Sequence, residues 1–168
     1  MWVRLLPLLG PLLLPQVILA QDLETAQLDV VPESCPITRP YRTSLFVPPS
    51  PYWTKENTES RFWFGSDKLW TSLPVDGVWK SLSVGKMFWW RQGYNAYKEP
   101  QPRLIITGKR LDSAVPDLKA DHATNALLRP RHAMLIGFDF PTAGCWQITG
   151  RYEDGELTFT AWVVEKKQ

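Results

Sequence analysis

Short apolar segments separated by turn-forming residues fill the chain from Arg61 onward, and they constrain its fold more than any other feature. They cover residues 61–64, 68–73, 78–84, 86–91, 103–111 and 133–140. No 3.6-residue apolar period is sustained through them, and this spacing predicts antiparallel strands in a sandwich or barrel. Residues 112–130, which contain Pro116 and Pro130, are predicted to be a long connection with at most one short helical turn. Gly108 indicates a β-bulge.

A hairpin near the carboxyl end has the clearest alternation in the sequence. Residues 145–152 and 156–165 flank Glu153-Asp154-Gly155, and Asp-Gly favours a tight turn because both residues tolerate a positive φ. One face of the two strands is apolar, as a half-buried sheet requires, and carries Trp146, Ile148, Gly150, Tyr152, Leu157, Phe159, Ala161 and Val163. Cys145 falls on the opposite, more polar face.

The amino-terminal residues 1–20 have the composition of a signal peptide. Arg4 precedes an apolar run that ends at the small residue Ala20. A retained membrane anchor is the alternative, but a spanning helix needs about 20 apolar residues, and this run is shorter and contains three prolines. The sequence therefore predicts cleavage after Ala20 and export, with no transmembrane segment left in the mature chain.

Two cysteines, Cys35 and Cys145, are present in the chain. In an oxidising compartment two cysteines most simply form one disulfide. Its loop of about 110 residues corresponds to roughly 4–5 kcal/mol in the chain-entropy description. Two free thiols are the alternative, but neither cysteine has a neighbouring histidine or a CxxC partner. We expect the disulfide, which would tie the amino-terminal part across the outside or the end of the sheet.

Residues 21–60 are predicted to be a proline-rich extended arm before a β-domain over 61–168. Six prolines fall within twenty residues of this arm, and proline lacks the N–H that a helix or a central strand needs. We expect the arm to contact the domain through Tyr41, Leu45, Phe46 and Val47.

The closing part of the sequence resembles the last strands of immunoglobulin-like domains in exported bacterial proteins. The resemblance rests on residues 138–152 (FDFPTAGCWQITGRY) and 157–163 (LTFTAWV), which read as a strand, a Pro/Gly corner, a Cys-Trp strand, a tight turn and an alternating final strand. It implies an immunoglobulin-like antiparallel β-sandwich and carries over no catalytic residue. Antibody-type domains place both cysteines on core strands, whereas Cys35 lies in the arm.

Charge and motifs argue against most catalytic classes. Lys and Arg number 19 and Asp and Glu 17, and removal of Arg4 leaves 18 basic residues, too small an excess for a nucleic-acid partner. Ser83 and Lys86 match SxxK, but that chemistry needs both residues on one helix turn, and Gly85 lies between them. His122 and His132 could bind a metal with a nearby aspartate, but histidines ten residues apart are more often surface groups. No metal or cofactor is expected.

Aromatic residues are concentrated between Trp63 and Tyr97. Strand alternation prevents Trp89 and Trp90 from facing one core, so one of them should face solvent, a partner or the arm. The candidate binding surface is Trp89, Trp90, Arg91, Tyr94 and Tyr97. Cover by the arm, contact with another protein and a sugar-binding platform are the three interpretations.

These features predict an exported, non-catalytic binding or structural module of the cell envelope. Its partner would be an envelope protein or a carbohydrate. A carbohydrate-binding module that uses exposed tryptophans is the alternative function, and an exported hydrolase is the third.

Overall fold

The structure is a computed structural model that describes residues 30–40, 46–52, 60–128 and 131–165. The predicted leader lies outside the described residues, as do Tyr41 and Leu45 of the predicted arm. The described residues contain no α-helix and ten strands: β1 Arg61–Ser66, β2 Leu69–Pro74, β3 Val78–Trp79, β4 Ser83–Trp90, β5 Ile105–Arg110, β6 Leu118–Ala120, β7 Thr124–Ala126, β8 Ala133–Asp139, β9 Gly144–Tyr152 and β10 Gly155–Val163.

The strands form two five-stranded sheets. Sheet 1 has the order β1-β2-β4-β8-β7, and sheet 2 has the order β3-β10-β9-β5-β6. Neighbouring strands are antiparallel except β3 and β10, which pair in parallel over two residues. The predicted all-β sandwich is confirmed, and the parallel pair makes sheet 2 mixed.

Both sheets contribute side chains to one hydrophobic core. Trp89 of sheet 1 lies 6.2 Å from Phe159 of sheet 2, measured between ring centres. Trp79 of β3 stacks with Phe159 at 6.0 Å and with Phe138 of β8 at 6.1 Å. Such aromatic pairs add about 0.5–1.5 kcal/mol each to the free energy gained by burial. The core therefore joins the sheets through large flat rings.

The hairpin of β9 and β10 has the predicted apolar face. Trp146, Ile148, Phe159 and Val163 are all buried in the core shared by the sheets. Cys145 pairs with Trp162 in this hairpin and lies on the other face, as the alternation indicates.

The turn of this hairpin differs from the prediction. Tyr152 pairs with Gly155, so the loop is Glu153-Asp154, and Glu153 has the positive φ, 51°. Gly155 is instead the first residue of β10. A Cβ on Gly155 would lie 2.7 Å from the carbonyl oxygen of Lys68. Glycine is therefore needed here because the β1–β2 connection approaches closely. The predicted tight turn is confirmed, but Gly155 belongs to β10 and not to the turn.

Segment 78–84 divides between the two sheets instead of forming the single strand predicted. Val78–Trp79 is the edge strand β3 of sheet 2, and Ser83 begins β4 of sheet 1. Gly85 does not end a strand, because β4 continues to Trp90. The register of β4 against β8 shifts between Val84 and Met87, which places Gly85 in a bulge.

Two other predictions are corrected between β5 and β8. Gly108 is regularly paired with Leu118 and Ile148, so it forms no bulge. Its Cβ would lie 3.2 Å from the Cβ of Leu118, which explains a small residue there. Residues 112–130 contain the strands β6 and β7, three residues each, and these add one edge strand to each sheet.

The predicted disulfide is confirmed and lies on the outer face of sheet 2. Cys35 and Cys145 are bonded with their Cα atoms 5.7 Å apart. They form a small buried cluster with Ile37, separate from the core between the sheets. The Thr38 N–H donates to the Thr160 carbonyl at 2.9 Å, so the arm runs beside β10. The arm is thus held to the outside of the sandwich, as expected.

Candidate functional site

The consecutive residues Trp89 and Trp90 lie on opposite faces of β4. Trp89 is fully buried in the core between the sheets. Trp90 belongs to a second cluster, on the outer face of sheet 1, where its ring meets that of Trp63 edge-to-face at 5.1 Å. The expectation that the two indoles face different surroundings is confirmed, and it follows from the two-residue period of a strand.

Residues of the arm cover this outer aromatic cluster. Tyr52 is 9% exposed and packs edge-to-face on Trp70 at 5.2 Å, and Phe46 lies 5.6 Å from the same ring. Val47, the other expected contact within the described residues, is 59% exposed. Trp90 itself is 9% exposed, so its cover comes mainly from neighbouring rings. The arm therefore covers Trp70 of this cluster, whereas the ring contacts of Trp90 are with Trp63 and Phe88 of the same sheet.

Arg91, also part of the predicted surface, is bound to the tip of the β9–β10 hairpin. Its Nη1 donates to Asp154 Oδ1 at 2.6 Å, and its Nη2 lies 3.2 Å from Glu153 Oε2. Lys68 Nζ approaches the other oxygen of Asp154 at 3.0 Å. The bond from Arg91, with that from Lys68, lowers the pKa of Asp154 to about 2. The guanidinium of Arg91 is therefore held in an ion-pair cluster with Asp154 and Glu153.

Tyr94 and Tyr97 of the predicted surface lie apart from each other. Tyr94 is buried, and its hydroxyl donates to the Glu99 carbonyl at 2.8 Å; burial, with the nearby Glu99 carboxylate, raises the pKa of Tyr94 to about 12. The hydroxyl of Tyr152 donates to that carboxylate. Tyr97 is 55% exposed and contacts the ring of His132 at 5.1 Å. The five predicted residues therefore do not form one aromatic platform.

A groove opens in sheet 1 where β2 and β4 diverge. These strands pair only through Trp70 with Trp90 and Thr71 with Trp89. The Thr71 hydroxyl then donates to the Phe88 carbonyl at 2.8 Å, and beyond this bond the strands separate. The separation arises because the chain after β2 turns at residues 75–77 and joins sheet 2 as β3. The groove has a volume of about 640 Å³.

The walls of this groove, hereafter the β2–β4 groove, combine apolar rings, hydroxyls and cations. The apolar lining is Pro74, Val78, Trp79, Val84, Met87, Phe88 and Trp90, the hydroxyls are those of Ser72, Ser81 and Ser83, and the cations are Arg61, Lys80 and Lys86. No acidic side chain of the described residues lines it. Among the described residues, none of the three cations forms a salt bridge. The groove is therefore cationic in a chain that has almost no net charge.

Arg61 reaches the groove from β1 across the neighbouring strand. Its Nε donates to Ser72 Oγ at 2.9 Å, and its Nη2 donates to the Ser72 carbonyl. Both partners are neutral, and burial lowers the pKa of Arg61. A guanidinium nevertheless stays charged in proteins. Arg61 is exposed at the groove, and its guanidinium has unused capacity to bind an anion.

The bulge in β4 gives the groove its other rim. A Cβ on Gly137 of β8 would lie 2.8 Å from the Gly85 carbonyl oxygen, so glycine is required where the bulge approaches β8. Ser83, Gly85 and Lys86 are exposed at this rim. Sequence reasoning missed the groove. A glycine followed by a lysine inside a strand that is otherwise mostly apolar is the signal that could have pointed to the bulge.

Ser83 and Lys86 lie on a strand and not on the helix turn that SxxK chemistry requires. Beside the groove, a second hollow of about 440 Å³ is lined in part by Ser83, His122 and Asp139. Within the described ranges no hydrogen bond joins Ser83 to His122.

The described part of the chain has no group of three or more His, Cys, Asp and Glu side chains placed to hold a metal. His132 is held elsewhere, where its Nδ1 accepts the Ala96 N–H at 3.2 Å. No helix in the described ranges has the length and apolar character needed to span a membrane.

Comparison with known proteins gives no match to this chain: no family model, no curated protein and no solved structure is detectably similar to it.

Proposed function

We propose that the protein is an exported, non-catalytic binding module of the cell envelope and that its partner binds in the β2–β4 groove. The observation that supports this proposal is the groove itself, where three cations lie beside apolar rings and no acidic residue of the described ranges lines the walls. Structural ion pairs satisfy the charges at the β9–β10 tip, but the charges of the groove have no such partner among the described residues. A clustered charge of one sign is typical of a surface that attracts an oppositely charged partner.

The proposal includes an immunoglobulin-like fold, and the strand order supports it. In variable-type immunoglobulin domains two sheets of antiparallel strands pack over a shared core, and the strands that follow one another along the chain are divided between the two sheets. Here β9 lies between β10 and β5 in one sheet, whereas β4 and β8 lie between β2 and β7 in the other. The continuation of β2 as β3 passes an edge of the sandwich from one sheet to the other. Cys145, however, faces outward, which departs from antibody-type domains.

Export is supported by two independent features. The first 20 residues have signal-peptide composition, and the Cys35–Cys145 bond fits an oxidising compartment. In a reducing cytosol such a bond would rarely persist.

Charge reversal in the groove tests the proposed function. The protein, the Lys80→Glu/Lys86→Glu double variant and the control Lys109→Glu are passed over immobilised envelope proteins and wall polysaccharides. Lys109 is an exposed residue of β5 on sheet 2, far from the groove lining. We expect one fraction to retain the wild type and the control but not the double variant. Equal retention of all three proteins, or retention of none, would contradict the proposal.

Carbohydrate binding is the second candidate and is favoured by a smaller aromatic hollow, which shares Phe88 and Trp90 with the groove. The hollow has a volume of about 240 Å³ and is lined by Tyr52, Trp63, Trp70, Phe88, Trp90, Leu128 and Arg131. Rings with a nearby guanidinium suit the C–H faces of a sugar and one anionic substituent. Oligosaccharides that shift the tryptophan fluorescence of the wild type but not of an Arg131→Gln variant would support this candidate. An equal shift in both proteins would argue against the hollow as the site.

A further inference from the structure

We infer that the β2–β4 groove binds an extended peptide strand whose side chains alternate between apolar and acidic. This inference rests on the proposed function and names the partner class of the same site.

An open strand edge supplies the backbone part of the argument. From Ser83 to Met87, β4 faces β8 on one side, with its bulge at Gly85 and Lys86. On the other side its β2 pairing is limited to Trp89 and Trp90, and the Phe88 carbonyl accepts the Thr71 hydroxyl. Five residues at about 3.3 Å each give an edge of roughly 16 Å. Unpaired edges accept an added strand through main-chain hydrogen bonds, the mode known as β-augmentation. The groove leaves space beside this edge, since β2 has already turned toward sheet 2.

The inward side of the groove selects apolar side chains. Met87 is buried in the core, and Trp79 is partly buried and stacked against core rings. Successive side chains of an inserted strand point to opposite faces of the sheet. Every second residue of the peptide would therefore face Trp79 and Met87, where a charged group would lose its hydration without gaining a partner.

The outward side selects acidic side chains. Arg61, Lys80 and Lys86 line the groove, and the part of the chain that the structure describes adds no acidic residue to its lining. Lys80 and Lys86 are exposed. The nearest acidic side chain of β8 is Asp139, opposite Ser83, and it lines the neighbouring hollow. Carboxylates on the outward positions of the peptide would supply the missing partners for these cations.

The open edge favours a peptide over an acidic polysaccharide, which is an outcome of the test. A polysaccharide could neutralise the cations, but it has no regular N–H and C=O groups to pair with β4. The contribution of peptide N–H groups therefore separates the two ligand classes.

Three peptide libraries of about ten residues test the inference, each with apolar residues at alternate positions. The intervening positions are acidic in one library, neutral in the second and basic in the third. The probes are passed over the immobilised protein, and the dissociation constant of the best retained peptide is measured by fluorescence anisotropy. We expect selective retention of the acidic library. Lys86→Glu and, separately, Lys80→Glu should weaken binding at least about tenfold, and the control Lys109→Glu should change it less than about twofold.

Methylation of alternate peptide nitrogens supplies the second readout. It removes the N–H donors on one edge of the peptide without changing its charge. We expect binding to weaken at least about tenfold when the methylated edge faces β4. Retention of no acidic peptide, equal retention of the basic library, or no effect of methylation on either edge would overturn the inference.

Failure of the inference can be distinguished from failure of the proposed function. Polygalacturonate, an acidic polysaccharide, is tested on the same variants. If polygalacturonate binds the wild type but not the Lys86→Glu variant, and no peptide binds, the groove is a binding site for another ligand class. If neither ligand class binds and the envelope fractions also retain nothing, both proposals are overturned.

Discussion

Substitution of Gly150 by alanine should destabilise the sandwich through a single steric conflict. Gly150 lies in β9, paired with Ile106 and Leu157, and the ring of Trp89 packs directly on its Cα. A Cβ built there would lie 2.5 Å from both Cζ3 and Cη2 of the indole. An ordinary carbon contact is about 3.5–4.0 Å, so the ring would have to move by about 1 Å or more. Because Trp89 is fully buried, no free space receives it.

The cost of this conflict is that of overpacking in a closed core. Overpacked cores typically lose about 1–3 kcal/mol. We expect the upper end, about 3 kcal/mol, since the contact involves two rigid ring atoms. At about 2–4 °C per kcal/mol this lowers Tm by roughly 6–12 °C. Urea unfolding followed by tryptophan fluorescence measures the loss as a lower midpoint with an unchanged slope.

Two further variants test whether the contact with Trp89 is the cause of the destabilisation. Gly85→Ala is the matched control, because a Cβ there meets nothing within 4 Å, and its effect should stay within about 0.5 kcal/mol. Trp89→Phe removes the two ring atoms that clash, so Gly150→Ala should cost much less in that background. If Gly150→Ala is as harmless as Gly85→Ala, or costs the same in both backgrounds, the steric account is wrong.

Three other predictions concern the disulfide, the acidic range of stability and the arm. Joint replacement of Cys35 and Cys145 by alanine should lower the free energy of unfolding by about 4–5 kcal/mol, measured by urea denaturation, because the bond closes a loop of 110 residues. The lowered pKa of Asp154 stabilises the fold above the unfolded value near 4, and this contribution disappears as pH falls toward 2. The unfolding free energy of Asp154→Asn should therefore depend less on pH between about 4 and 2, and an unchanged pH profile would refute the ion-pair account. Tyr52→Ala should shift tryptophan emission to longer wavelength by exposing Trp70 and should destabilise by about 3 kcal/mol; an emission maximum equal to that of the wild type would show that Tyr52 does not shield the cluster.

Features that depend on nearby residues could be predicted from the sequence. Apolar and polar residues alternate strictly along the two adjacent strands of the β9–β10 hairpin. This alternation predicts its apolar face, which the structure confirms. Likewise, the opposite placement of Trp89 and Trp90 follows from strand geometry alone. The pairing of Cys35 with Cys145 needed only the count of cysteines and an oxidising compartment.

Features that depend on distant contacts could not be predicted in this way. Gly85 resembles a strand terminator, but its role depends on Gly137, which faces it from β8. Gly155 resembles a turn residue, but its role depends on Lys68, which is 87 positions earlier in the chain. The groove exists because the chain passes from sheet 1 to sheet 2 after β2, and no local sequence pattern indicates this change of sheet. Strands β6 and β7 are too short, at three residues each, for alternation to reveal them.

The disulfide between Cys35 and Cys145 of β9 determines which strand bears the force when the chain is pulled from its amino end. β9 lies inside sheet 2, with β10 on one side and β5 on the other, and pairs with both along most of its length. Tension applied to the chain before Cys35 would be transmitted through sulfur to this central strand, bypassing the β1–β2 hairpin. Extraction of β9 requires two ladders to shear together, so the oxidised protein should resist pulling from its amino end far better than the reduced one.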